Sequence, residues 1–130
     1  MTRKTLITNW GHPEVVDLLR DRVDVEVNLS RQPWPRETIL SRLRNADAMI
    51  AFMTDHIDDG FLEQCPDLRV IACALEGADN FDLAACRRRG VAVSIVPDLL
   101  TAPTAELTVG LMIALGRNLL AGDRLIREKS

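Results

Sequence analysis

A chain of 130 residues is long enough for one domain with its own core and short for two. Its 47 % hydrophobic and 27 % charged residues exclude a disordered, collagenous or disulfide-stapled polypeptide. A net charge of -3, with aromatics at 4 % and no Tyr, predicts neither nucleic acid nor an anionic membrane as a partner.

Short β-branched runs and helical patterns then alternate along the chain. Thr5-Leu6-Ile7-Thr8 reads as a first strand, and no apolar stretch of the signal-peptide kind precedes it, which predicts a cytoplasmic protein. Pro13 to Leu19 places Val15, Val16, Leu18 and Leu19 at helical spacing, and Val23 to Val27 alternates as a second strand. Pro35 to Leu43 repeats the helical pattern with Ile39, Leu40 and Leu43, both prolines suiting first-turn positions. Ala48 to Phe52 reads as a third strand buried on both faces. Asp58 to Gln64 is a short helix, Leu68 to Leu75 a fourth strand, Asp82 to Arg89 a helix and Val91 to Val96 a fifth strand. Gly90 stops the helix before it, and Arg87-Arg88-Arg89 suits that helix's negative, solvated end.

Five strands alternating with helices predict an α/β fold: a flavodoxin-like open parallel sheet, order 2-1-3-4-5, with helices on both faces. Ligands of such sheets gather beyond the carboxyl ends of the strands, which singles out Asn9 to His12, Met53 to His56, Glu76 to Phe81 and Pro97 to Thr101. From Thr101 to about Arg127 the pattern predicts one long helix. Its apolar stripe of Leu107, Leu111, Ala114 and Leu119 is broadened by Val109, Met112, Ile113 and Leu120, predicting burial on more than one side, with Gly110 and Gly116 where another backbone comes close. The apolar run Leu107 to Leu115 falls well short of the roughly 20 residues that cross a bilayer. Cys65, Cys73 and Cys86 form no C-x-x-C pair and suit no zinc site, so they read as reduced core thiols.

The segment Glu76-Gly77-Ala78-Asp79-Asn80-Phe81-Asp82, directly after the fourth strand, carries the most chemical information. Glycine there lets backbone N–H groups approach a carboxylate or similar oxyanion, and Asp79 and Asn80 can cap the helix that follows. A plain strand-to-helix turn is the alternative. His56, near Asp55 and Asp58, is either an acid–base group or a solvated loop residue, and His12, before Pro13, reads as structural.

Leu68-Arg69-Val70-Ile71-Ala72-Cys73-Ala74-Leu75 running into Glu76-Gly77-Ala78-Asp79-Asn80-Phe81-Asp82, then Gly90-Val91, Val96-Pro97-Asp98-Leu99-Leu100-Thr101 and Pro103-Thr104-Ala105-Glu106-Leu107, resembles the N-terminal part of the D-isomer-specific 2-hydroxyacid dehydrogenases. Ala51-Phe52-Met53, followed one residue later by Asp55, is similar to the phosphite (phosphonate) dehydrogenase branch. The resemblance covers about Leu6 to Arg127. It implies an oxidoreductase using NAD (or NADP) on a small 2-hydroxy acid or phosphite-like anion. Residues 1–100 would be its substrate-binding domain and 101–130 an interdomain helix leading to a separate NAD-binding domain, with a homodimer as the assembly. Under the same resemblance the substrate's anionic group falls on Leu75, Glu76 and Gly77, Met53 and Leu100 are apolar walls, and Thr104 lies near the nicotinamide. Ordinary packing would equally explain Met53 and Leu100, and helix N-capping Thr104.

The family's G-x-G-x-x-G turn and its catalytic Arg, Glu and His all come further along the chain than this sequence reaches. Glycines at 11, 60, 77, 90, 110, 116 and 122 do not form that fingerprint, so the chain alone is expected to bind no cofactor and to be inactive. Glu76 stands where the phosphite branch has lysine. A carboxylate about 4 Å from a dianion repels it by roughly 1 kcal/mol in water and more in a drier cleft, so phosphite is expected to bind poorly. Two other classes compete. A phospho-acceptor receiver would need acidic residues after the first strand and a lysine after the fifth, and only Asp55 is even roughly placed. A non-catalytic interaction or dimerisation module would use the apolar terminal helix.

Overall fold

A computed structural model describes residues 3–128. The strands are β1 (Lys4–Ile7), β2 (Asp24–Val27), β3 (Ala48–Ala51), β4 (Val70–Cys73) and β5 (Ala92–Ser94). Between and after them lie α1 (Pro13–Arg20), α2 (Arg36–Leu43), α3 (Asp59–Glu63), α4 (Leu83–Arg88), α5 (Thr101–Gly116) and α6 (Leu119–Glu128). The strands pair in parallel as one flavodoxin-like sheet, β2-β1-β3-β4-β5, the order read from the sequence. The chain divides into two compact units, one ending at Pro97 and the other beginning at Asp98.

Register explains the core of the first unit. Leu6 pairs with Met49 and Met49 with Ile71, so one row across three strands points to the same side of the pleat, and all three are 0 % exposed. Ile39 and Leu43 of α2, Phe61 and Leu62 of α3, and Ala85 and Cys86 of α4 close over that row. Burying each large side chain stabilises by about 1.5–3 kcal/mol relative to exposure. The opposite side is thinner than expected. Ile50 and Ala72 are only half-buried, so β3 is not sealed on both faces. Helix α1 buries Val16 alone, leaving Val15 at 50 % and Leu18 at 65 % exposure, because one short helix seats only a single residue there.

Local chemistry sets the helix ends. Asp58 Oδ1 caps α3 by accepting from Phe61 N–H at 2.7 Å, and Asp82 Oδ1 caps α4 from Ala85 N–H at 2.9 Å. Asp82, rather than Asp79 or Asn80, is therefore the cap, and Asn80 is occupied elsewhere. Gly90, at φ +71°, ends α4 in a left-handed conformation that costs glycine nothing. Arg88 and Arg89 reach Asp59 at 3.4 and 2.9 Å, tying α4 to α3. Pro13 opens α1, whereas Pro35 stands just before α2 at its N-cap.

In the second unit the predicted continuous helix is two helices bent by 58°. Arg117 ends α5 and Asn118 takes φ 52°, a conformation asparagine tolerates better than most residues. Leu107, Leu111, Met112 and Leu120 are 54–78 % exposed, an apolar surface of the kind expected to be covered by another domain or subunit rather than by this chain. A Cβ added to Gly110 or Gly116 would meet nothing within 4 Å among the described residues. Among the described residues no single helix is long and apolar enough to cross a membrane, although the bent pair passes on length and composition.

Candidate functional site

The carboxyl edges of β3 and β4 are aligned by their last register pair, Ala51 with Cys73, and Ala74 N–H extends the ladder to Ala51 O at 2.9 Å. Met53 and Leu75 therefore leave the sheet at the same edge, two residues beyond that pair. Met53 is 73 % exposed. Leu75 is half-buried against the core, which anchors the turn, while Glu76 is half-buried and Gly77 exposed. Gly77 O accepts from Cys73 Sγ at 3.4 Å, and a Cβ at position 77 would stand 3.3 Å from Oδ2 of the exposed Asp79 side chain. The N–H groups of Gly77, Ala78 and Asp79 donate to no acceptor among the described residues. Amides left without a protein acceptor at this partly exposed turn can donate to water or to an anion. Val96 N–H donates to Leu75 O at 2.9 Å and draws the segment after β5 to the same edge.

Met53, Leu75, Glu76 and Gly77 thus share one edge of the first unit. Leu100 and Thr104 belong to the second unit, where Leu100 is 47 % exposed. Thr104 does not cap a helix: α5 already begins at Thr101, Thr104 N–H bonds Leu100 O at 3.0 Å, and Thr104 O accepts from Thr108 Oγ1 at 2.8 Å.

Sequence reasoning missed the polar layer beneath this edge. Thr8, Asn28 and Asp55 are 1 %, 1 % and 4 % exposed, each just past a strand end or in the turn that follows one. Asp55 Oδ2 accepts from Thr8 Oγ1 and from Phe52 N–H, the latter at 2.8 Å. Burial pushes the Asp55 carboxyl above the usual carboxylate range, against those two hydrogen bonds, which favour its charged form. A phospho-acceptor must meet solvent, so Asp55, buried and bonded on both counts, does not fit the receiver reading. His56 is exposed, with its carbonyl accepting from Arg36 Nη1 at 2.9 Å, and His12 is exposed beside Trp10, at 4.9 Å between ring centroids. Cys65, Cys73 and Cys86 are free and buried, and burial raises all three thiols. No group of His, Cys, Asp or Glu among the described residues could hold a metal ion.

Residues 5–121 match the family model described as D-isomer specific 2-hydroxyacid dehydrogenase, catalytic domain. The chain belongs to this family. It is 40 % identical over 124 residues to a glyoxylate reductase of Aeropyrum pernix, covering 95 % of this chain and 37 % of that one. A Polaromonas structure, described as a D-isomer specific 2-hydroxyacid dehydrogenase, NAD-binding, superposes with TM-score 0.87 at 30 % identity, over 100 % of this chain and 41 % of its own. A Thermus thermophilus protein gives TM-score 0.85 at 34 % identity, over 96 % and 40 %. The chain spans about two-fifths of the length of these relatives.

Proposed function

We propose that the chain is the substrate-binding part of a nicotinamide-dependent oxidoreductase that interconverts a small 2-oxo acid and its 2-hydroxy acid, with glyoxylate as the model substrate. The unpaired N–H groups of Gly77 and Ala78, at an exposed turn beyond β4, carry this reading. A carboxylate accepting from two such amides is held in a fixed orientation, with Met53 as an apolar neighbour along the edge. Glu76 beside the turn disfavours a phosphite dianion, and the relatives' names point the same way: the matched curated proteins are called glyoxylate reductases.

In this reading the dinucleotide is not held by the first unit alone. The turn after β1 has one glycine, Gly11, and a Cβ there would make only ordinary contacts at 3.9 Å with Ile7 and Val16, so it is no cradle for a pyrophosphate. NAD or NADP would be held chiefly by residues outside this chain, with Thr104 as a contributor near the nicotinamide and Leu100 as an apolar wall for the substrate. The apolar exposure of α5 and α6 supports their burial against a nucleotide-binding domain or a second copy in a homodimer.

The test is a fusion of this chain to the nucleotide-binding domain of the Aeropyrum pernix relative, followed by NADH or NADPH absorbance. Glyoxylate-dependent oxidation by the fusion protein, with none by the chain alone, is expected. A folded fusion protein that consumes neither cofactor with glyoxylate or other short 2-oxo acids refutes the reading.

A further inference from the structure

Four polar side chains under the candidate site join four segments that are distant in sequence. Asn28 Nδ2 donates to Thr8 O at 3.1 Å and to Gln32 O at 2.9 Å, fastening the loop after β2 to the end of β1. Thr8 Oγ1 carries one proton and faces two acceptors, Ile50 O at 3.2 Å and the Asp55 carboxylate. The carboxylate is the stronger acceptor, so it takes the proton. Asp55 Oδ2 also takes Phe52 N–H, closing the turn after β3. Asn80 Nδ2 donates to the carbonyls of Phe52 and Asp55, and this holds the far end of the Gly77 turn. Ile57 N–H to Asn80 O at 3.0 Å and Asp82 N–H to Ile57 O at 2.8 Å form a second strap between the same two loops.

We propose that Asp55 is a positioning residue: through Thr8, the Phe52 amide and Asn80 it fixes the loop after β3 and the Gly77 turn, without itself touching substrate. At 4 % exposure its carboxyl is not available to a ligand, and it joins no ion pair among the described residues, so its bonds serve the backbone around it. Apolar replacement would leave the Phe52 amide without its acceptor and the Thr8 hydroxyl with only the longer bond to Ile50 O, whereas Asn keeps an oxygen able to accept from both. The functional part of this proposal rests on the acid-binding reading of the Gly77 turn.

Amide hydrogen exchange on the 130-residue chain tests it. In Asp55→Ala the amides of Ile57 and Asp82, which bridge the two loops, are expected to exchange faster by at least about tenfold more than those of Met49 and Ile71 in the strands, a factor equal to about 1.4 kcal/mol. Asp55→Asn should restore most of the protection. Should Asp55→Ala not yield folded protein, Thr8→Val breaks the same bond from the other end and is read in the same way. In the fusion protein Asp55→Ala should raise KM for glyoxylate about tenfold with kcat changed by less than about threefold. Equal acceleration in loops and strands, or none in the loops, overturns the proposal. Localised acceleration with no glyoxylate turnover by the unsubstituted fusion protein overturns the acid-binding reading and leaves the positioning role standing.

Discussion

Glu76→Lys in the fusion protein changes the charge beside the Gly77 turn by two units. At about 4 Å each unit charge contributes about 1 kcal/mol toward a monoanion in bulk water and about 4 kcal/mol at an effective dielectric of about 20. Position 76 is half-buried, which places it between those limits. Taking the lower one, the substitution favours a singly charged acid by about 2 kcal/mol, roughly thirtyfold in affinity, and a dianion by about twice that free energy, on the order of a thousandfold. Phosphite should therefore gain far more than glyoxylate. The steady-state KM for glyoxylate and the inhibition constant of phosphite against it, measured at low and high salt, read the difference directly, and the phosphite gain should shrink as ionic strength rises. Unchanged phosphite inhibition, or an equal gain for both anions, would refute the placement of Glu76 beside the bound acid.

Phe61→Ala, which empties a site 1 % exposed and removes the ring beneath the Arg36 guanidinium, should cost about 3–5 kcal/mol and lower the urea midpoint by more than about 1 M. Gly90→Ala adds a methyl group that meets nothing within 4 Å, so its cost is conformational alone, about 1–2 kcal/mol by urea titration, with Gly90→Asn costing less. The bonds from Lys4 and then Arg42 hold the Glu26 carboxyl below its ordinary range, so its stabilising contribution is complete above that range and disappears as pH falls through the lowered value. The gap in urea midpoint between the native chain and Glu26→Gln should accordingly close on acidification. Asp55 contributes with the opposite sign, since a carboxyl raised by burial favours the folded state on acidification. Cys65, Cys73 and Cys86, buried and raised, should react with a thiol reagent at neutral pH only as fast as the chain opens.

The sheet order was legible because each strand is a short apolar run between helical patterns, and parallel crossovers leave few topologies. The helix starts after Asp58 and Asp82 lie where their spacing implies, but the side chain that caps α4 is Asp82, not the expected Asp79 or Asn80. The break at Asn118 was not legible: Gly116 and Asn118 are each tolerated inside a helix, and only their combination with the φ of 52° ends it. The Asp55 network was hidden for a different reason. Thr8 and Asp55 are 47 residues apart, and no local period reports a bond formed only when β1 and β3 lie side by side. A polar residue just past each of two neighbouring parallel strands was the available signal. Met53, Leu75, Glu76 and Gly77 came from resemblance, and the register of β3 and β4 supplies the physical reason they meet.

The thin side of the sheet sets where the first unit opens. Val16 is the one α1 residue seated against it, and β2 pairs with β1 alone along its edge. Fewer apolar contacts must be broken to peel α1 and β2 away than to disturb the Leu6, Met49 and Ile71 row, so this corner is expected to open before that row does. A protease that cuts after arginine should find its earliest sites at Arg20 and Arg22, between the two elements that lift off together.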